Sequence, residues 1–295
     1  MTTNVLILGV NGMLGSMLVR RWSALDELRL FAGVRNQVSP SLWGRLETVL
    51  QGIDATEFCK SEQARLAGFM RTHAIDAVVN CMGVIKQRAG GQDPLIATSV
   101  NALFPHQLAR VCDEGEVRLL HVSTDCVFSG AAGGYLETDP PDATDFYGRS
   151  KALGEVGTPH LTLRTSIIGP ELEGSEGLGL LAWFLRQKGP TVPGFTRALF
   201  SGVTTLALAD LLERILIAHP ALAGLYQVAS SPIDKYSLLR KVNETFQLGV
   251  EVVPDSALEI DRSLNSEKLR ATIGYSAPSW DAQLAALQAH MASNS

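Results

Sequence analysis

The sequence is poor in the features that mark several large classes of protein. Its four cysteines (Cys59, Cys81, Cys112 and Cys126, among 295 residues) form no C-x-x-C pair and fall far short of a disulfide framework. They read as reduced thiols of a cytoplasmic protein, with metal ligation disfavoured. Charged residues make up only 19% and the net charge is −5. No run of Lys or Arg offsets that charge, which argues against nucleic-acid binding. No apolar stretch approaches the roughly 20 residues that cross a bilayer, so no membrane role is expected. The apolar start lacks a basic lead-in and runs into glycines, so it reads as a strand and not a signal peptide.

What is present is an alternation. Strand-like runs at Val5–Val10, Leu28–Val34, Val49–Ile53, Ile75–Cys81, Leu119–Phe128 and Leu161–Ile168 alternate with helical patterns at Met13–Leu25, Glu62–His73, Leu95–Cys112 and Tyr147–Val156. Continuous apolar strands separated by helices predict a Rossmann-type, doubly wound parallel α/β sheet. After Pro170 the pattern changes. Glu171–Gly179 reads as a mobile loop, Leu180–Gln187 and Thr204–Ala218 as helices, and Leu225–Ala229 as a strand able to rejoin the sheet. Beyond Ser231 the sequence predicts short helices and a strand signal at Val250–Val253, with Ala292–Ser295 frayed. The expected division is a dinucleotide-binding domain (1–170 and 202–230) and a smaller, discontinuous α/β substrate domain (171–201 and 231–295).

Gly9-Val-Asn11-Gly12-Met13-Leu14-Gly15 lies between the first strand and the first helix. Glycines there let the backbone approach a pyrophosphate, and the helix N-terminus offers free N–H groups to it. A plain glycine-rich turn is the competing reading, but the strand and helix on either side are the context a dinucleotide site needs. After the second strand comes Arg35, with no carboxylate nearby. A basic residue there suits a 2′-phosphate and favours NADPH, with NADH as the alternative and a solvated loop arginine as the bland reading. Asp54 could accept from an adenine amino group or only cap the next segment. Cys81, Met82 and Gly83 end the fourth strand, where the backbone would pass the cofactor ribose. Asn101, mid-helix among apolar residues, needs a local partner.

Ser123, Thr124, Tyr147 and Lys151 form the candidate chemistry, with Ser123 beside the cofactor. A tyrosine titrates near pH ~10, and a cation at about 4 Å is worth on the order of 4 kcal/mol at an effective dielectric of about 20. Lys151, one turn from Tyr147, is expected to lower that pKa. Tyr147 would then protonate a developing alkoxide while Thr124 donates to the same oxygen. A surface Tyr/Lys pair beside a buried strand hydroxyl is the structural alternative.

The run Val122-Ser-Thr-Asp-Cys-Val-Phe-Ser-Gly130, then Tyr135-x-Glu137-x-Asp139-Pro140, Tyr147-Gly-Arg-Ser-Lys151-x-x-Gly154-Glu155 and Leu163-Arg-Thr-Ser166 resembles the dTDP-4-dehydrorhamnose reductase family of extended short-chain dehydrogenases. Arg262-Ser-Leu-Asn-Ser266 is similar to that family's C-terminal R-P-x-N-S segment. The resemblance implies NADPH-dependent reduction of a 4-keto group on a nucleotide-linked 6-deoxysugar, in deoxysugar or cell-surface polysaccharide biosynthesis. It assigns Thr124, Tyr147 and Lys151 to catalysis, and the three glycines with Arg35 to the cofactor.

The chain departs from the family pattern at Cys126, where tyrosine is usual, at Ser129, and at Val84-Ile-Lys86-Gln-Arg88 after the fourth strand. Some relatives bind magnesium at a dimer interface; no matching carboxylate cluster is seen here, so no metal is expected, while a homodimer stays open. A nucleotide diphosphosugar needs cations, and Lys86, Arg88, Arg197 and Arg262 are candidates, with Asp125 beside the sugar. Trp183 and Phe195 could pack on sugar or base, though core packing suits each. Two other enzymes compete: a 4,6-dehydratase, which needs a further acid where Cys126 stands, and a 4-epimerase. From another class, a non-catalytic subunit resembling the beta subunit of methionine adenosyltransferase stays open.

Overall fold

The computed structural model describes residues 2–87, 89–172, 177–187 and 191–293. Its first sheet has seven strands: β1 (Thr3–Leu8), β2 (Leu28–Gly33), β3 (Thr48–Leu50), β4 (Ala77–Asn80), β5 (Arg118–Thr124), β6 (Leu161–Thr165) and, after three strands elsewhere, Gly224–Gln227. All pair in parallel, in the order Gly224–Gln227, β6, β5, β4, β1, β2, β3. Strand order reverses between β1 and β4, so the chain leaves these two neighbours toward opposite sides and a crevice opens at their C-terminal ends. Val5, Leu6, Ile7 and Leu8 are all fully buried, as expected of a strand covered on both faces.

A second sheet has three strands. β8 (Thr191–Phe200) lies between β11 (Ile233–Asp234, antiparallel) and β12 (Glu251–Asp261, parallel). The remaining pair is β7 (Ile167–Ile168) with β9 (Val203–Thr204), and Gly224–Gln227 is therefore β10. β8 has no counterpart in the sequence reading, because Pro193 and Gly194 interrupt its pattern. Gly194 is needed there, since a Cβ would stand 2.6 Å from the Tyr236 Cα on the helix Lys235–Phe246. β12 runs through Pro254, well beyond the Val250–Val253 signal, and the last helix (Trp280–Ser293) spans 14 residues where short ones were expected.

Two boundaries differ for physical reasons. The helix expected over Leu95–Cys112 is broken into Pro94–Ala97, a π-helical stretch Thr98–Leu103, and Phe104–Glu114. Pro105 has no N–H for the Asn101 carbonyl four residues back. Gly154 packs against that carbonyl, and a Cβ at Gly154 would lie 1.9 Å from it. The strand expected to reach Phe128 stops at Thr124, whose hydroxyl accepts from the Cys126 N–H and starts a 3-10 turn over Asp125–Val127. Residues 173–176 of the expected loop and Asn294 and Ser295 of the frayed end lie outside the described residues.

Candidate functional site

The crevice at the switch point is a cleft of about 640 Å³. Its near end is the glycine turn. Gly9 has a φ of +84°, and a Cβ there would come within 3.0–3.1 Å of the Cys81 and Met82 backbone. A Cβ on Gly15 would stand 2.2 Å from the Gly9 carbonyl oxygen, so the helix Met13–Trp22 can start this close to β1 only with glycine. Gly12 is the N-cap and supplies no side-chain cap, leaving first-turn N–H groups without intrahelical acceptors. Met13 and Leu14 open that helix and also line the cleft. This cradle fits the pyrophosphate of a dinucleotide.

Asn11 lines the cleft, but its amide is committed: Nδ2 donates to the Gln37 carbonyl at 2.7 Å and Oδ1 accepts from the Ser39 N–H at 3.0 Å. It ties the glycine turn to the loop that carries Arg35. Arg35 itself is largely exposed, 3.9 Å from the Asp54 carboxylate. The other Asp54 oxygen caps Thr56 through both its N–H and its hydroxyl, so the capping role foreseen for Asp54 is real. Cys81, Met82 and Gly83 follow β4 along the cleft wall. Desolvation pushes the Cys81 thiol up to about 12, leaving it an inert wall group.

At the far end stand Thr124, Tyr147 and Lys151, all lining the same cleft. Two motif glycines let the helix Phe146–Leu153 lie against β5 and the π-helical turn. A Cβ on Gly148 would meet the Cys126 carbonyl oxygen at 2.1 Å, and Gly154 packs on Asn101 as described. Asp145 caps the helix through the Gly148 N–H at 2.7 Å. Asn101 is fully buried; it receives the Val84 N–H, donates to the Val84 carbonyl and donates to Ser150. It pins the loop after β4 to the helix that bears the tyrosine.

Electrostatics differ from the sequence expectation in two respects. The Tyr147 phenol is pushed above its ordinary value, first by burial and then by the Cys126, Asp125 and Asp145 groups, while a hydrogen bond with Thr124 acts to lower it. Lys151 is not among the main causes of this shift; its ammonium donates to the Val122 carbonyl at 2.9 Å. Burial brings Lys151 itself down to about 8. The second difference concerns Thr124, whose hydroxyl hydrogen goes to Asp125 Oδ1 at 3.1 Å. Asp125 is buried, and desolvation raises its carboxyl against the pull of Lys235 and Arg262.

Two more assignments shift on inspection. Ser123 lines the cleft, yet its hydroxyl donates to Glu155 at 2.8 Å. Glu155 in turn forms a bidentate pair with Arg164 at 2.8 and 2.7 Å. Arg262 does not line the cleft: Nε donates to the Phe128 carbonyl at 2.9 Å, and Nη1 reaches Cys126 Sγ at 3.6 Å. Lys86 lines the cleft; Arg88 lies outside the described residues. Arg197 forms an exposed pair with Glu259, and Trp183 is 37% exposed instead of packed in the core. Tyr135 proves structural, stacked on Phe128 at 4.1 Å with its hydroxyl accepting from the Gly130 and Ala132 N–H groups. Sequence reasoning missed Lys235, a cation at the first position of its helix, where the helix dipole disfavours positive charge.

Residues 3–171 match the family model of the RmlD substrate binding domain. The chain belongs to this family. Among curated relatives, the "Probable low-salt glycan biosynthesis reductase Agl14" of Haloferax volcanii is 29% identical over 96% of each chain. A hypothetical dTDP-4-dehydrorhamnose reductase from Sulfolobus tokodaii superposes with a TM-score of 0.76 at 25% identity, covering 95% of this chain and 98% of that one. The dTDP-4-dehydrorhamnose reductase of Bacillus anthracis str. Ames, solved in complex with NADP, shares the fold with a TM-score of 0.77 at 20% identity, covering 98% of both chains. Among the described residues no helix is long and apolar enough to cross a membrane, and no three His, Cys, Asp or Glu side chains gather as metal ligands.

Proposed function

We propose that this RmlD-family protein is an NADPH-dependent reductase of a keto group, at C4, on a nucleotide-linked deoxysugar. One observation carries the reading: a half-buried phenol, its pKa held above the ordinary value, shares the far wall of a cleft with a threonine hydroxyl, and the near end of that cleft is a glycine cradle. Bound in this cleft, a reduced nicotinamide supplies hydride to the carbonyl carbon. Every other task falls to the protein. Gly9, Gly12, Met13 and Leu14 receive the pyrophosphate on backbone N–H groups, Asn11 holds that turn in shape, and Arg35 faces the 2′-phosphate with Asp54 beside the adenine. Cys81, Met82, Gly83 and Ser123 border the ribose, and Lys151 donates to its hydroxyls from the Val122 carbonyl side.

Tyr147 acts as the acid. A phenol held above its ordinary pKa is protonated at neutral pH, the state reduction requires, and it gives its proton to the carbonyl oxygen as negative charge develops there. Thr124 turns its hydrogen from Asp125 to the same oxygen, and Asp125 then accepts from a sugar hydroxyl. Lys86 meets the substrate's phosphates. The unit built on β8, β11 and β12 is the substrate-binding part, with residues 171–201 and 231–295 forming one domain. This reading places the protein in the cytoplasm.

The test is NADPH oxidation across a panel of nucleotide-linked 4-keto sugars. Tyr147→Phe is expected to keep cofactor affinity and to lose turnover by at least about two orders of magnitude. Stoichiometric NADPH consumption marks a reductase. Conversion with the cofactor unchanged would mark an epimerase instead, and wild-type turnover in Tyr147→Phe would take the proton transfer away from this residue.

A further inference from the structure

Two buried asparagines fasten the cleft wall that follows β4. Asn101 takes the Val84 N–H. Asn80, the last residue of β4, is fully buried and takes the Met82 N–H on Oδ1 at 3.0 Å. Gly83 lies between these two fastenings. The Met82 nitrogen is one of the atoms that a Cβ on Gly9 would meet, at 3.1 Å, so the Asn80 bond sets how this wall lies against the glycine turn. On its other side the Asn80 amide nitrogen, Nδ2, stands 3.1 Å from Nδ1 of His121, the residue opposite it on β5. His121 is also fully buried, and it belongs to none of the motifs of the site.

Donors and acceptors along this chain of contacts admit one arrangement. A backbone N–H can only donate, so Asn80 presents its carbonyl oxygen to Met82 and its NH2 to the ring. The NH2 donates in turn, so Nδ1 of His121 carries a lone pair and the ring proton sits on Nε2. A second ring proton would set two donors against each other and turn the amide away from Met82. Burial, and after it the charges of Lys151 and His106, also hold His121 well below its ordinary pKa. Nε2 is buried and, among the described residues, meets no hydrogen-bond partner. An unpaired buried N–H is costly, and an apolar side chain would fill the same space without that cost. What the ring alone supplies there is the acceptor for Asn80.

We propose that His121 is a positioning residue for the cofactor: as the neutral tautomer protonated on Nε2, it fixes the Asn80 amide, which holds the Met82 backbone in the wall that NADPH binds against. The inference rests on the NADPH reading above, and its first test needs no cofactor. A two-bond 1H–15N correlation spectrum of histidine-labelled wild type, with His121→Asn to assign the signal, is expected to show Nδ1 bare and Nε2 protonated. A proton on Nδ1 would overturn the proposal whatever NADPH does. The second test is fluorescence titration with NADPH, beside urea unfolding, of wild type, His121→Leu and His121→Asn. His121→Leu removes the acceptor and the unpaired N–H together, so its affinity should fall at least about tenfold while its urea midpoint does not fall. His121→Asn can stand a side-chain oxygen near the place of Nδ1, and its affinity should stay within about threefold of wild type. If His121→Leu binds NADPH as wild type does, or if stability falls along with affinity, His121 only supports the fold and the proposal is wrong. Equal losses in both variants would likewise take the acceptor's role away. If wild type shows the expected tautomer but binds no NADPH, the cofactor reading falls and this role with it.

Discussion

The buried Glu155–Arg164 pair allows the sharpest prediction about how the site is held. Arg164 on β6 is 3% exposed and Glu155, just after the tyrosine helix, 11% exposed. Their two parallel bonds measure 2.8 and 2.7 Å, and Ser123 on β5 adds a third at 2.8 Å. One carboxylate thus fastens the helix Phe146–Leu153 to both strands beneath it. Glu155→Gln puts an amide nitrogen against a guanidinium and leaves that cation uncompensated in the interior. Such breakage costs about 3–5 kcal/mol, a large share of the ~5–15 kcal/mol total stability of a typical domain. Replacing both partners, Glu155→Leu with Arg164→Met, removes the orphaned charge and should recover at least about 2 kcal/mol of that loss. Urea unfolding at neutral pH, read by fluorescence and circular dichroism, measures both variants. A single-mutant cost under about 1 kcal/mol would refute the reasoning, as would a double mutant less stable than the single one.

The remaining predictions concern the cleft. Gly15→Ala should abolish NADPH binding, because its Cβ would stand 2.2 Å from the Gly9 carbonyl oxygen and the turn must open to admit it; fluorescence titration with NADPH checks this, and near-normal affinity would show that the turn adapts. Lys151 must be protonated to donate to a ribose, and it titrates at about 8, so kcat/KM for NADPH should fall as pH rises through that value. The same shift has an opposite sign for stability. A lysine whose folded pKa lies below its unfolded one binds fewer protons when folded between about 8 and about 10.4, so its contribution to stability rises with pH across that window. Lys151→Met removes this rise, and the difference between wild-type and variant urea midpoints at pH 7.5 and 9.5 measures it.

Much of the fold was legible because its signals are local. β1 and the glycine turn show as an apolar run meeting glycines, and seven-stranded parallel pairing follows from apolar strands alternating with helices. β8 was hidden because the residues that break its pattern, Pro193 and Gly194, answer to a helix over 40 positions away in sequence. The π-helical break likewise reflects Gly154 closing on Asn101, a contact no window of the sequence contains. Site residues behaved the same way. Thr124, Tyr147 and Lys151 were visible through spacing and sit on one wall. The partner each hydrogen bond chooses was not visible: Ser123 turns to Glu155, Asn11 to Gln37 and Ser39, and Arg262 to Phe128.

These partner choices also separate two tasks that the sequence had merged. Tyr147 and Lys151 are one helical turn apart, and that spacing suggested a cation tuning a phenol. Instead the ammonium donates to the Val122 carbonyl, and the phenol is raised by burial with Cys126 as its next cause. A protonated tyrosine needs no help to give its proton to an oxygen that is becoming an alkoxide, because the alkoxide is much the stronger base. Help is needed in the reverse direction, where the phenol must first lose its proton. The arrangement of this chain therefore suits reduction over oxidation, and burial of the tyrosine, more than its lysine neighbour, sets that bias.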